Sequence, residues 1–123
     1  MKWKAWSQLA QDEIHWQNRC EKGLLKAEPV KDYVLRLWFE ETMDVTIYEL
    51  NFAPLLIDEN PGKALLPLRD IKRFQFVKGD YALVWPNPET GEYDENVIDL
   101  APECVRFFCE RYGKLVKAPS LAA

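Results

Sequence analysis

The chain has 123 residues, of which 48% are hydrophobic, and its aromatic residues are six Phe, five Trp and five Tyr. This length fits one domain, and a domain of this size buries roughly two thirds of the surface that its unfolded chain exposes. The net charge of −4 argues against a dedicated nucleic-acid binder, because affinity for a phosphate backbone depends on Lys and Arg.

The cysteines and the first residues predict a cellular location. Cys20, Cys104 and Cys109 occur without a CxxC pair, a pattern typical of reduced, buried thiols in the cytoplasm. The first residues become polar too soon for the apolar region of a secretory signal peptide, and no segment approaches the ~20 apolar residues of a membrane span. We therefore expect a cytoplasmic protein with no membrane contact.

Residues 3–23 have the apolar spacing of an amphipathic helix. Its apolar arc carries Trp3, Trp6, Leu9, Ala10, Ile14, Trp16, Cys20 and Leu24. Gly23 is a suitable C-terminal stop for this helix. We predict that residues 1–23 form a Trp-rich appendage to a core domain spanning residues 24–113.

The pattern then changes to short extended segments of high β propensity. The predicted strands are residues 24–30, 33–41, 44–50, 76–78 and 82–85. Pro29 marks the first as an edge strand, because proline cannot donate a hydrogen bond to a sheet. The first three segments predict an antiparallel meander, and Gly79–Asp80 is the predicted turn between the last two.

Helical turns and loops are predicted between and after these strands. One turn is expected near Leu55–Leu56, and a second begins at Asp70, a suitable N-cap. Residues 87–96, NPETGEYDEN, predict an acidic loop. A final helix begins at Pro102 and reaches Tyr112, and residues 114–123 are expected to be a tail. The predicted fold class is α+β, with a small antiparallel sheet of about five strands, an N-terminal amphipathic helix and a C-terminal helix.

The sequence contains no recognisable catalytic or metal-binding combination. His15 is the only histidine and falls on the predicted polar face of the first helix. A zinc site needs about four Cys or His ligands, whereas Cys104 and Cys109 lie roughly 140° apart around one helix. Gly62-Lys63 lacks the upstream glycine and the hydroxyl of a phosphate-binding loop. We predict no catalytic residue, no metal and no cofactor.

Three sets of residues are candidates for binding. The first candidate for partner contact comprises Trp3, Trp6, Ile14 and Trp16, because tryptophan is enriched at binding hot spots, although the same spacing suits core packing. A candidate basic patch comprises Lys63, Arg69, Lys72, Arg73 and Lys78. A candidate acidic loop surface comprises Glu89, Glu92, Asp94 and Glu95. Both charged sets are also compatible with a solvated face.

Five short motifs occur in order along two thirds of the chain. They are KAEPVKDYVLRLWFEE at 26–41, LNFAPLL at 50–56, PLRD at 67–70, VWPN at 84–87 and DLAPE at 99–103. In order and spacing they resemble the small bacterial family called domain of unknown function 2442. The resemblance implies a compact α+β domain without known catalytic activity. Some relatives are encoded beside a companion domain regarded as a toxin, which implies an antitoxin role.

The chain departs from this family pattern in three places. Residues 88–98 form an acidic insertion between the WPN and DLAPE motifs. The Trp-rich helix before Gly23 has no counterpart in the family. The DNA-binding helix-turn-helix that other relatives carry is not expected here, because too few residues follow Gly113.

These observations together predict a non-enzymatic protein-interaction domain. Its partner is another protein, and toxin neutralisation by an antitoxin-like protein, or a role as an accessory subunit, is the most specific version. The first alternative is a nucleic-acid-associated accessory protein that uses the basic patch, and the second is an enzyme that uses only carboxylates. A homodimer formed through Trp3, Trp6 and Trp16 of the predicted first helix is compatible with all three functions.

Overall fold

The computed structural model of the protein describes residues 23–58 and 61–120. The predicted helix at residues 3–23 lies outside this range except for Gly23. The candidate contact residues Trp3, Trp6, Ile14 and Trp16, together with Cys20, therefore also lie outside the described residues.

The described residues form seven strands and two α-helices. The strands are β1 (Leu24–Lys31), β2 (Val34–Glu41), β3 (Asp44–Asn51), β4 (Lys78–Asp80), β5 (Ala82–Trp85), β6 (Ile98–Leu100) and β7 (Lys114–Lys117). The helices are α1 (Ile71–Gln75) and α2 (Pro102–Tyr112), preceded by a π-helical turn at Pro54–Asp58 and a 3-10 turn at Leu66–Arg69. All pairing is antiparallel, in one sheet of order β1-β2-β3-β7 and a second of order β4-β5-β6. The predicted α+β class is confirmed, but the strand count exceeds the predicted five.

The β1-β2-β3 meander follows directly from alternation along the strands. In β2, Leu35, Leu37 and Phe39 are fully buried, whereas the intervening Arg36 and Trp38 are partly exposed. Successive side chains of a strand point to opposite faces, so one face of this sheet carries the core.

A buried aromatic cluster joins α1 to the sheets. The ring of Trp85 lies 5.9 Å from that of Phe74 and 6.3 Å from that of Phe52, measured between centroids. The indole N–H of Trp85 donates to the Phe74 carbonyl at 2.8 Å. Because the indole nitrogen has a partner, the whole ring can be buried without loss of a hydrogen bond.

Helix α2 packs on the core face of the larger sheet. The guanidinium of Arg106 lies over the Phe39 ring, 5.1 Å from its centroid, and forms ion pairs with Glu41 at 2.9 Å and Glu110 at 3.2 Å. Cys104 and Cys109 are free and buried. Burial raises the pKa of the Cys104 thiol to about 12 and that of Cys109 well above its usual value, so both thiols are protonated at neutral pH.

The predicted position of β4 and its turn was wrong. Gly79 and Asp80 lie within β4, and the chain reverses at Tyr81, whose φ is 62°. Gly79 crosses the backbone of β1 so closely that a Cβ atom there would lie 2.5 Å from the carbonyl carbon of Lys26. The backbone groups of Leu24 and Tyr81 exchange two hydrogen bonds, at 2.8 and 3.0 Å, beside this crossing. Gly79 is therefore required for close packing of the two sheets rather than for a turn.

Strands β6 and β7 were not predicted. Residues 114–117 were expected to begin a tail, but they pair with β3 as β7. Lysine stands at each end of β7, and the register shifts between Ile47 and Tyr48, opposite Val116. Such a short strand, with exposed Leu115 and Val116, has no alternation from which it could be predicted.

Replacing Gly79 tests the crossing of β1 and β4. We expect Gly79→Ala to lower the free energy of unfolding by about 1–3 kcal/mol, because the added methyl group meets the backbone of Lys26. Denaturant unfolding measures this change. Lys78→Ala is the control, since the Lys78 side chain is exposed in the same strand. Equal midpoints for wild type and Gly79→Ala would contradict the close approach.

The β2–β3 turn offers a test of backbone strain. Met43 has a φ of 62° and its side chain is 98% exposed, so its left-handed conformation gains no compensating packing. Asparagine tolerates this conformation, and we expect Met43→Asn to raise the free energy of unfolding by about 0.5–1 kcal/mol. Met43→Ala keeps the conformational cost and should change stability little. The prediction fails if the alanine variant gains as much stability as the asparagine variant.

Candidate functional site

The acidic loop between β5 and β6 is organised by its own side chains. The Asn87 side chain accepts from the Glu89 amide at 2.9 Å and donates to Asp94 at 2.9 Å. Asp94 also accepts from the amide of Asn96 at 2.9 Å. Asn and Asp commonly form such turns with the backbone two residues on. Asn87 is only 8% exposed, so its side chain acts as the internal link between the two halves of the loop.

Backbone contacts close the same loop. The Asn87 amide donates to the Glu92 carbonyl at 3.0 Å, and the Gly91 amide donates to the Asn87 carbonyl at 2.7 Å. Gly91 has a φ of 74°, a conformation that glycine adopts without strain. The Tyr93 hydroxyl donates to Asp80 at 2.9 Å and attaches the loop to β4. The loop is thus a folded part of the domain.

The charge of Asp94 is stabilised inside this loop. The hydrogen bond from Asn87, followed by that from the Asn96 amide, lowers the pKa of the Asp94 carboxyl below its usual value. Hydrogen bonds to a carboxylate favour the ionised form. Asp94 therefore carries its negative charge at neutral pH and uses both of its oxygens within the loop.

Arg73 connects helix α1 to both ends of the loop. Its Nη2 atom donates to the Asn96 carbonyl at 2.6 Å and more weakly to the Trp85 carbonyl at 3.5 Å. Its Nη1 atom donates to the Pro86 carbonyl. These bonds fix the guanidinium against backbone oxygens, which makes Arg73 a positioning residue for the loop.

A cleft lies between the 3-10 turn and this loop, and we call it the loop cleft. Its volume is about 550 Å³, and it is open to solvent on one side. The apolar residues of its lining are Ala64, Pro67, Pro88, Val97 and Ile98. The polar residues are Arg73, Asn87, Glu89, Glu95 and Asn96. A concave surface of this size, with apolar walls and a few convergent polar groups, is typical of a binding site.

The structure brings together parts of two sets that were predicted as separate surfaces. Arg73 from the basic patch and Glu89 and Glu95 from the acidic loop line the same cleft. Asp94 lies within the loop as an internal acceptor. Glu92 is exposed and lies outside the lining.

The remaining residues of the basic patch have different surroundings. Arg69 donates through Nε to the Leu56 carbonyl at 2.5 Å, and its own carbonyl accepts from the Tyr33 hydroxyl. Lys63, Lys72 and Lys78 are exposed. Two of the five predicted cations, Arg69 and Arg73, thus donate to backbone carbonyls within the fold.

The sequence prediction did not include the Asn87 side chain or the apolar residues that line the cleft. Asn87 has a recognisable signal, because an asparagine before Pro-Glu is suited to starting a turn. Pro67, Val97 and Ile98 carry no such signal, since they come from two segments about thirty residues apart in the chain.

Two negative findings apply to the residues that the structure describes. Within residues 23–58 and 61–120, no group of three or more His, Cys, Asp or Glu side chains is arranged to hold a metal ion. No helix in the same part of the chain is long and apolar enough to cross a membrane.

Comparisons of this chain with family models, with curated proteins and with solved structures found no match. The resemblance to the domain of unknown function 2442 family therefore stays a prediction. Interpretation of the loop cleft rests on its own geometry and charges.

The Asp94 interactions predict a dependence of stability on pH. Because the folded-state pKa of Asp94 is lowered, its contribution is present above the unfolded-state pKa of about 3.9 and is lost as the pH falls through the folded-state value. Asp94→Asn should lower stability at pH 7 and flatten the loss of stability on acidification below about pH 5. Denaturant unfolding at several pH values measures both effects.

Glu92→Gln is the matched control for this experiment. It removes a negative charge from the same loop at an exposed position and should leave the pH profile close to that of wild type. Coincident pH profiles for wild type and Asp94→Asn would show that the Asn87–Asp94 link does not stabilise the loop.

Proposed function

We propose that the protein is a non-enzymatic protein-interaction domain and that the loop cleft is its contact surface for a protein partner. The observation that carries this proposal is that the acidic loop, which forms one side of the cleft, is held in place by hydrogen bonds. Asn87 and Asp94 hold the loop internally, while Arg73 holds both of its ends against α1. A surface ordered before binding loses less conformational entropy when the partner docks.

The composition of the cleft supports a macromolecular partner. Its apolar residues come from the 3-10 turn region, the loop and the start of β6, and its two carboxylates, Glu89 and Glu95, are exposed. Protein interfaces commonly combine an apolar centre with a polar, hydrated edge. The cleft offers both features within one continuous surface.

A basic partner suits the charge of the chain. The net charge is −4, and Glu89 and Glu95 add local negative charge at the cleft. Opposite charges on two partners accelerate their encounter and favour the correct orientation. The family resemblance implies an antitoxin role, and neutralisation of a toxin that is basic, as the net charge favours, is the most specific form of this proposal.

The geometry favours this function over the nucleic-acid alternative. Arg73 and Arg69, the two arginines of the predicted basic patch, donate to backbone carbonyls. Arginine recognises phosphate best when two N–H groups in the plane of its guanidinium are available for parallel hydrogen bonds. The other three cations of the patch, Lys63, Lys72 and Lys78, are exposed lysines, which bind phosphate without the paired geometry of arginine.

A steric block of the cleft tests the proposal. Ala64 is exposed and lines the cleft, so Ala64→Trp fills the cleft without disturbing the core. The tagged wild type and the tagged variant are each purified from the native cell. We expect a protein partner to copurify with wild type in stoichiometric amount, and about tenfold less of that partner to copurify with Ala64→Trp. Mass spectrometry identifies and quantifies the copurifying protein.

Ala118→Trp provides the matched control, because Ala118 is exposed and lies outside the cleft lining. It should recover the partner as wild type does. Equal recovery by both tryptophan variants would exclude the loop cleft as the contact surface. Copurification of nuclease-sensitive nucleic acid in place of a protein would contradict the proposed function itself.

A further inference from the structure

We infer that the loop cleft receives a lysine or arginine side chain from a basic, extended segment of the partner. This inference rests on the proposed function and names the chemistry of what the cleft binds. It follows from the charges of the lining, from the backbone hydrogen bonds that Arg73 already makes and from the apolar walls.

The charges of the lining favour a cation. Glu89 and Glu95 are exposed carboxylates on the cleft, and Asp94 adds a further negative charge within the loop, where Asn87 donates a hydrogen bond to it. Among the lining residues that the structure describes, Arg73 is the single cation. Carboxylates therefore outnumber cations on this part of the cleft.

Arg73 is poorly placed to attract an anionic ligand instead. Its two terminal nitrogens donate to the carbonyls of Pro86 and Asn96, with a weaker contact to Trp85. A carboxylate ligand would share the guanidinium with these backbone carbonyls, and it would also face Glu89 and Glu95. Like charges brought together at an interface oppose binding.

The walls suit the hydrocarbon part of a basic side chain. Pro67, Pro88 and Val97 supply rigid or branched apolar surface beside the carboxylates. Lysine and arginine place their methylene groups on apolar surface while the charged end stays hydrated. An ion pair at an exposed rim contributes little by itself, so the methylene contacts are needed for measurable affinity.

The position of β6 indicates an extended partner segment. Within the described residues β6 is an outer strand of its sheet and pairs only with β5. Its first residue, Ile98, lines the cleft. An extended backbone can lie along a strand edge while alternate side chains enter a neighbouring pocket. A segment with basic residues at alternate positions fits this arrangement.

A peptide titration tests the inference. The probes are an acetylated peptide of four Gly-Lys repeats and a Gly-Glu peptide of equal length, each added to the ¹⁵N-labelled protein. We expect the lysine peptide to shift the backbone amide signals of Glu89, Glu95 and Val97, and the glutamate peptide to shift none of them. Absence of shifts with the lysine peptide would overturn the inference.

Charge-neutral variants distinguish the cleft from the general field of an acidic protein. Glu89→Gln with Glu95→Gln should weaken binding of the lysine peptide about fivefold. Glu28→Gln with Glu40→Gln, which changes two exposed carboxylates on β1 and β2, should leave it nearly unchanged. Equal weakening in both double variants would assign binding to net charge and overturn the inference.

The outcomes separate this inference from the proposed function. If Ala64→Trp abolishes partner recovery while the Glu89/Glu95 variant binds the partner normally, the cleft is the contact surface but does not select a cation. If Ala64→Trp leaves recovery intact, the proposed function fails at this surface, whatever the peptides do.

Discussion

The hydrogen bond from the Trp85 indole to the Phe74 carbonyl fixes the relation between α1 and β5. Residues adjacent to these two in sequence connect α1 to the loop that borders the cleft. Arg73 precedes Phe74, and Pro86 follows Trp85, so the aromatic contact places the guanidinium within reach of the loop carbonyls. The geometry of the loop cleft thus depends on a buried contact between two residues that lie outside the cleft lining.

The acidic loop shows how a polar loop can be held in one conformation by its own side chains. The side-chain amide of Asn87 donates through its nitrogen and accepts through its oxygen, and Asp94 accepts a hydrogen bond on each of its two oxygens. These internal bonds replace contacts that a hydrophobic core would otherwise supply. Glu89 and Glu95 do not take part in this side-chain network, which leaves their charges directed to the cleft and to solvent.

Much of the fold could be predicted because it is encoded locally. Alternation of Leu35, Leu37 and Phe39 indicates β2, and Asp70 accepts from the Lys72 amide at 3.1 Å as the predicted N-cap of α1. The bounds Pro102 and Tyr112 of the last helix are confirmed, since proline and glycine mark its ends.

The missed features depend on contacts between distant segments. Gly79-Asp80 has the composition of a turn, but the approach of the Lys26 backbone determines the use of Gly79. Likewise, Arg73 and Glu89 meet at one cleft only after Trp85 has packed against Phe74. Local sequence patterns carry no information on contacts between distant segments. The sequence therefore predicts the basic patch and the acidic loop as two separate surfaces.

Strand β7 has a further consequence for the behaviour of the chain in concentrated solution. An exposed strand edge can recruit identical molecules and begin a fibre. Here the edge is four residues long, ends in lysines and shifts register opposite Val116. Stacking two copies edge to edge would place like charges together on an interrupted ladder, so this edge of the sheet is poorly suited to polymerisation.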